Sequence, residues 1–269
     1  MGNEVPLQDV DGRSGEPGTG IGTRDIRSLR VIHQIGCSHP QVVDNLYLGD
    51  WVWFDDGKIG ALIERIDEQG AWLKVHHTGP EGSKLRSDKS INFPDSRLTL
   101  PCLTEKDLQD LAFVAKHADM VGFSFVQSRA DMNQLMTELT KRGAKHISII
   151  AKIETKLAVR NLPEIILAAI NDFHLGVMIA RGDLAVELGG ERMAEIQEEL
   201  LWICEAAHVP VIWATQVLEN LAKNGFSTRS ELTDAAMSGR AECVMLNKGD
   251  YILQAVHTLH TILSHMQDH

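Results

Sequence analysis

The sequence predicts an α/β protein with a parallel sheet, preceded by a smaller β-rich module. Three observations carry this. From Leu100-Pro101 onward, short apolar runs alternate with helical patterns five times, the signature of βα units and a parallel sheet. Two of those runs, Ile147 to Glu154 and Gly176 to Glu187, end abruptly in charge; buried parallel strands read as near-continuous apolar runs, and their carboxyl ends are where such folds place chemistry. Between Leu29 and Arg97 the pattern is instead short strands between turn signals. Five βα units fit either an open sheet or the later part of an eight-stranded barrel, and periodicity does not choose between them.

Residues 1–28 are rich in Gly, Asp, Glu and Arg with almost no apolar periodicity and are expected to form a flexible or non-native lead-in. In the β-rich segment, 29–99, Asp50 to Phe54 reads as a strand, Asp55-Asp56-Gly57 as a tight hairpin turn, and Lys58 to Ile66 and Ala71 to His76 as two further strands. In the segment 100–269, Thr104 opens a helix as its cap, with Asp107 at the third helical position. Met120 to Val126 is a strand, and Ala130 to Arg142 an amphipathic helix burying Leu135, Met136 and Leu139. Ile147 to Ile153 is a strand, followed by a helix from Thr155 to Ile170 in which Pro163 could start a second segment. Leu175 to Ile179 is a strand, and Glu191 to Ala207 a helix with Met193, Ile196, Leu200 and Ile203 inward. Val209 to Thr215 and Cys243 to Leu246 are the last strands, with helices Ser230 to Met237 and Tyr251 to Met266 after them.

Composition narrows the function classes. The formal net charge is -11 with acidic residues dispersed along the chain, which argues against non-specific nucleic-acid binding while leaving room for a small anionic ligand. Cys37, Cys102, Cys204 and Cys243 form no CxxC, so neither a metal finger nor a disulfide framework is expected. Cys204 and Cys243 sit in apolar segments and read as small core residues. Reduced thiols, no apolar leader and no run of 18 apolar residues predict a cytoplasmic protein without a membrane span. The histidines show no zinc spacing, and no P-loop, GxGxxG or GxSxG is present.

The candidate site therefore rests on the strand ends. Lys152 and Glu154 are two apart on a strand and leave the same face; the bland alternative is a structural ion pair. Arg181-Gly182-Asp183 follows the next strand, where glycine permits a tight turn with exposed backbone N–H groups suited to a carboxylate or phosphate; the alternative is a solvated loop. Glu154 with Asp183 supplies two hard oxygen ligands, the number Mg²⁺ commonly takes from protein. Thr215 shares a face with Val211 and Trp213 and is expected to point to the interior, the alternative being a helix cap. Ser124, ending Val121 to Phe125, is a weaker candidate.

Taken together, these blocks resemble the pyruvate kinase family: Thr104 to Leu111, Ser124-Phe125, Ala151 to Glu154, Gly176 to Glu187, Pro210 to Glu219 and Thr228 to Glu231, with Asp55 to Ile59 resembling that family's lid domain. The resemblance covers about residues 30–269. It implies a partial TIM (β/α) barrel of about five βα units with a small lid. It also implies transfer of a phosphoryl group from phosphoenolpyruvate to ADP in glycolysis, giving pyruvate and ATP. Lys152 would neutralise the phosphoryl group in flight and Thr215 would lie near the enolate carbon. Glu154 and Asp183 would hold Mg²⁺ or Mn²⁺, the backbone at Arg181, Gly182 and Asp183 would hold the enolpyruvate carboxylate, and Ser124 would line the substrate pocket. The family also uses K⁺, but the segments carrying its ligands and an arginine phosphate clamp have no counterpart here. Asn247-Lys248-Gly249-Asp250 replaces a Ser-Gly-Glu-Thr-Ala loop, and no C-terminal regulatory domain is matched. Five strands need help to close a barrel, so self-association or pairing with another chain is expected. Two other outcomes remain open: a non-catalytic family remnant that binds metal and ligand, and a lyase of the phosphoenolpyruvate/pyruvate barrel group.

Overall fold

The computed structural model describes residues 4–8, 34–98 and 100–267, with side chains described from 34 to 266 within those limits. The chain divides into two compact units, Met1–Pro101 and Cys102–His269.

The first unit is built on a six-stranded sheet. Its strands are β1 (Glu4–Gln8), β2 (Ile35–Gly36), β3 (Trp51–Phe54), β4 (Ile59–Asp67), β5 (Gly70–His77) and β6 (Ile91–Asn92), in the order β2-β1-β5-β4-β3-β6. Glu4–Gln8, at the start of the expected lead-in, is thus a strand paired antiparallel to β5; residues 9–33 lie outside the described residues. The β3–β4 hairpin turns through Asp55, Asp56 and Gly57, all at positive φ, which Asp tolerates and Gly favours. Asp55 also pairs with Lys58 and Lys89 at 2.9 and 2.8 Å. Strict alternation on β3 buries Val52 and Phe54 in a cluster with Ile59, Ala61, Ile63 and Leu73. On the opposite face Trp51 and Trp53 stack at 5.3 Å, and Gly60 must be glycine because a Cβ there would stand 2.6 Å from the Trp53 ring.

The second unit repeats strand and helix. Its strands are β7 (Met120–Phe123), β8 (Ser148–Ile153), β9 (Leu175–Ala180), β10 (Val211–Ala214) and β11 (Cys243–Val244). They form one parallel sheet whose spatial order, β7 to β11, is the chain order. The helices are α1 (Glu105–His117), α2 (Arg129–Lys141), α3 (Lys156–Ala169), α4 (Arg181–Leu188), α5 (Gly190–Ala206), α6 (Glu219–Asn224), α7 (Arg229–Met237) and α8 (Ile252–Gln267). Thr104 and Asp107 form the expected capping box of α1. Pro163 lies within a continuous α3 and starts no second segment.

One face of this sheet, carrying Phe123, Ile149, Ala151, Ile153, Val177, Ile179, Val211 and Trp213, is buried in a single core with Leu135 and Leu139 of α2, Leu162 and Ile165 of α3 and Leu200 of α5. Residues on the other face alternate with these: Met120, Gly122, then Ile150, Lys152, Met178, Ala180, Ile212 and Ala214. Met120 is 64% exposed, while Ala180 and Ala214 are buried. Among the described residues β7 and β11 each pair on one side only, so the sheet is an open arc of five strands: part of a (β/α) barrel.

The register corrects two expectations. Val211 and Trp213 belong to the helix-covered core, so sharing their face would not carry Thr215 to the barrel interior; β10 stops at Ala214 and Thr215 takes its own direction at φ +64°. Cys204 is buried as expected, but Cys243 is exposed, because β11 is an edge strand and Cys243, paired with Ile212, lies on the open face.

Candidate functional site at the carboxyl ends of the strands

Ser124 and Lys152 meet because β7 and β8 are in register from Met120↔Ser148 to Phe123↔Ala151, which carries the next pair to the same level. The Lys152 stem passes over Gly122, where a Cβ would lie 3.8 Å from its Cδ, and its Nζ donates to Ser124 Oγ at 2.9 Å. The same ammonium pairs with Glu154 Oε1 at 2.7 Å, the two side chains being 26% and 3% exposed. A carboxylate so enclosed needs partners, and the second is the Phe125 backbone N–H, which donates to Oε2 at 2.6 Å. Phe125 makes that bond from a left-handed backbone, φ +52°, a conformation uncommon in non-glycine residues. Thr155 then caps α3, accepting from the Ala158 N–H.

A second group of contacts lies at the ends of β9 and β10, which are in register up to Ala180↔Ala214. Arg181-Gly182-Asp183 is the first turn of α4 rather than a loop. The Arg181 side chain turns back against β10: Nε donates to the Ala214 carbonyl at 3.0 Å and Nη2 to the Thr215 carbonyl at 2.6 Å. Nη1 pairs with Asp234 on α7, and the guanidinium lies 4.5 Å over the Trp213 ring. The Gly182 N–H donates to Thr215 Oγ1 at 2.7 Å. Thr215 in turn donates to the Ala214 carbonyl. Thr215, Gln216 and Leu218 all sit at positive φ. For the β-branched Thr215 this is an outlier that the surroundings must hold in place. Asp183, half-buried, follows in the same turn of α4.

Ser124, Lys152 and Glu154 are therefore joined directly, as are Arg181, Gly182 and Thr215. The Arg181 guanidinium is committed to β10 and α7, while the part expected of Arg181-Gly182-Asp183 is a backbone one, at the start of α4. Reasoning from the sequence missed Phe125, whose role is a backbone one, and Asp234, which lies on a helix 53 positions after Arg181. The one signal for Asp234 was that a buried arginine needs a partner. Among the described residues, no group of three or more His, Cys, Asp or Glu is arranged to hold a metal, and no helix is long and apolar enough to cross a membrane.

This open (β/α) arc, with charged and hydroxyl groups gathered at the carboxyl ends of successive parallel strands, has the architecture of a barrel enzyme. Comparison with known proteins narrows the class. The family model described as pyruvate kinase, barrel domain, matches residues 26–256. Pyruvate kinase of Geobacillus stearothermophilus is 35% identical over 241 residues, covering 87% of this chain and 40% of that protein. Human pyruvate kinase PKLR is 33% identical, covering 83% and 38%, and the Mycobacterium tuberculosis H37Rv pyruvate kinase is 33% identical, covering 87% and 49%. The chain belongs to the pyruvate kinase family. It spans less than half the length of these relatives.

Proposed function

We propose that this chain carries a pyruvate kinase-type site that moves a phosphoryl group between phosphoenolpyruvate and ADP in the cytoplasm, as part of glycolysis. The observation that carries the reading is the Lys152 array: one ammonium held between Ser124 Oγ and a nearly enclosed Glu154, at the mouth of a parallel arc in a chain of this family. In the forward direction the bond between phosphorus and the enol oxygen breaks. A bond from phosphorus to a terminal oxygen of ADP forms, and the enolate carbon then takes a proton to give pyruvate. Such transfers are driven by positioning and electrostatic stabilisation. Lys152, with Ser124 orienting it, would neutralise the phosphoryl oxygens in transit. The start of α4 would bind the substrate carboxylate through backbone N–H groups and the helix dipole, with Gly182 exchanging its bond to Thr215 for one to the ligand. Thr215 would lie beside the carbon that is protonated.

The chemistry of the donors supports a divalent ion: Mg²⁺ takes one or two carboxylates and fills its remaining positions with water and phosphate oxygens, so two oxygen donors can suffice where, among the described residues, no group of three or more ligands is gathered. Glu154 and Asp183 would hold Mg²⁺ or Mn²⁺, which when bound polarises phosphate and enolate oxygens. Glu154 Oε1, paired with Lys152 in this structure, would serve both partners. The family's K⁺ would need ligands from outside the matched blocks.

A second reading has its own observation: among the described residues the arc has two open edges, β7 and β11, which favours a binding remnant, or a site completed by self-association or by another chain. Pyruvate release from phosphoenolpyruvate, ADP and Mg²⁺, followed with a coupled dehydrogenase, separates the two. Turnover that Lys152→Ala abolishes supports the phosphotransferase. No turnover, together with Mg²⁺-dependent oxalate binding in calorimetry, would sink the phosphotransferase reading for this chain alone and leave the second.

A further inference from the structure

We propose that Arg181 and Asp234 are positioning residues whose task is to hold Thr215 in its left-handed turn. The inference rests on the reading of Thr215 as a site residue and adds to it the means by which Thr215 is placed. A threonine at φ +64° followed by Gln216 at φ +57° is costly backbone, since a β-branched side chain crowds its own chain there. Something must over-determine it. One guanidinium does so from three directions. It takes the carbonyls on both sides of the Thr215 N–Cα–C segment, Ala214 at 3.0 Å and Thr215 at 2.6 Å. It stacks on Trp213, the preceding inward core residue, and it is anchored by the carboxylate of Asp234. Arginine suits this because its planar fork donates in fixed directions, which an ammonium cannot do.

The anchor is itself anchored. Thr228 and Glu231 form a capping box that starts α7, and Glu231 also accepts from the Asn220 N–H at 2.6 Å, tying α7 to α6. Asp234 therefore projects from a helix fixed at its first turn. The far end of the chain of contacts is Thr215 Oγ1, which accepts from Gly182 N–H at 2.7 Å. Arg181 and Gly182 are adjacent, so α4 grips the turn twice: the arginine side chain by the carbonyls, the glycine N–H by the hydroxyl. Arg181 never meets the reacting atoms; it fixes the residue that does.

The test has a structural arm and a kinetic arm. Arg181→Lys keeps the charge but cannot span both carbonyls, and Asp234→Asn keeps the shape but releases the ionic anchor; both are milder than truncating a buried arginine. In the full chain without ligands, amide hydrogen exchange at Gly182 is followed by NMR, with Thr215→Val as the reference for complete loss of the acceptor. Either variant is expected to speed Gly182 exchange at least tenfold, toward the Thr215→Val rate, with Leu111 in α1 unchanged. Exchange that rises everywhere alike, or not at all at Gly182, would overturn the proposal. In turnover, the expected result is a tenfold or greater fall in kcat, KM for phosphoenolpyruvate within twofold, and little further loss when either variant is added to Thr215→Val, as groups acting as one unit behave. Additive losses, or a KM effect alone, would overturn it. If the wild-type chain releases no pyruvate, the phosphotransfer reading falls on its own assay, and the exchange arm still decides whether Arg181 and Asp234 hold Thr215.

Discussion

Glu154→Gln offers the sharpest probe of whether the Lys152 array is built for strength. The substitution keeps the shape and removes the charge. Glu154, 3% exposed at its side chain, now receives two short bonds from donors: Phe125 N–H at 2.6 Å on one oxygen and Lys152 Nζ at 2.7 Å on the other. An amide can accept on only one side, so one donor must face the new NH₂ group. Hydrogen bonds to charged groups contribute roughly 1.5–3 kcal/mol each. Lys152 is 26% exposed and water will recover part of its loss, while the buried carboxylate's own desolvation cost disappears. The expected net loss is about 1–3 kcal/mol. With a urea dependence of roughly 2–3 kcal/mol per molar, the midpoint for the second unit should fall by about 0.3–1.5 M. Urea unfolding followed by far-UV circular dichroism measures it. An unchanged or higher midpoint would refute the reasoning and mean that enclosing this carboxylate costs the fold more than its two bonds return, as sites shaped for chemistry rather than stability can do.

Other expectations follow from the same geometry. Gly249→Ala would put a Cβ 2.1 Å from the Ala222 carbonyl oxygen and 2.5 Å from its carbon. Backbone cannot yield as a side chain can, so a loss of roughly 1–3 kcal/mol or more should appear as a lower thermal midpoint, whereas Gly190→Ala, with nothing within 4 Å of its Cβ, should change it little. Thr104, by its hydroxyl and its N–H, holds the Asp107 carboxyl below its ordinary 3.8. Its stabilisation is thus present above pH 3.8 and lost as pH falls through the lowered folded value. The gap between wild type and Asp107→Ala in chemical unfolding should therefore close in acid. Burial, with Glu242 adding to it, lifts the Cys204 thiol from 9.0 to about 12. A raised thiol favours the fold below pH 9.0 and loses that contribution as pH climbs toward 12. Iodoacetamide at pH 8 should label exposed Cys243 and reach Cys204 only on unfolding, as mass spectrometry of the alkylated peptides will show.

What could be read from the amino acids followed from burial. Strands β8 and β9 are almost wholly apolar because helices cover one face of them and the other is at least half-buried, so Lys152 and Glu154 stand out as interruptions needing a reason. The capping box at Thr104 is local chemistry and was legible for that reason. Direction beyond a strand end was not. Alternation holds only while the backbone stays extended, and once β10 ends at Ala214 a single left-handed residue reorients Thr215. The partner of Arg181 lies on a separate helix, and only the tertiary packing of α7 brings Asp234 to it. Cys243 looked like a core residue because its neighbours are apolar. It is exposed because, among the described residues, its strand has no further neighbour. The short strands β2 and β6 pair for two residues each, too few for a period to register.

Because the strands of the second unit lie side by side in the order in which they are synthesised, every strand finds its pairing edge on the one completed just before it. Loop closure at each step spans one crossover and skips no strand, which keeps its entropic cost modest, and the arc can grow from β7 toward β11 as the chain emerges. Along that path the Ser124, Lys152 and Glu154 cluster would form as soon as β8 docks. The Thr215 turn would stay unlocked until α7 delivers Asp234. A ribosome-arrested chain ending between Thr215 and Asp234 should thus hold the first half of the site without the second, and its acquisition of order on further elongation would time the two halves separately.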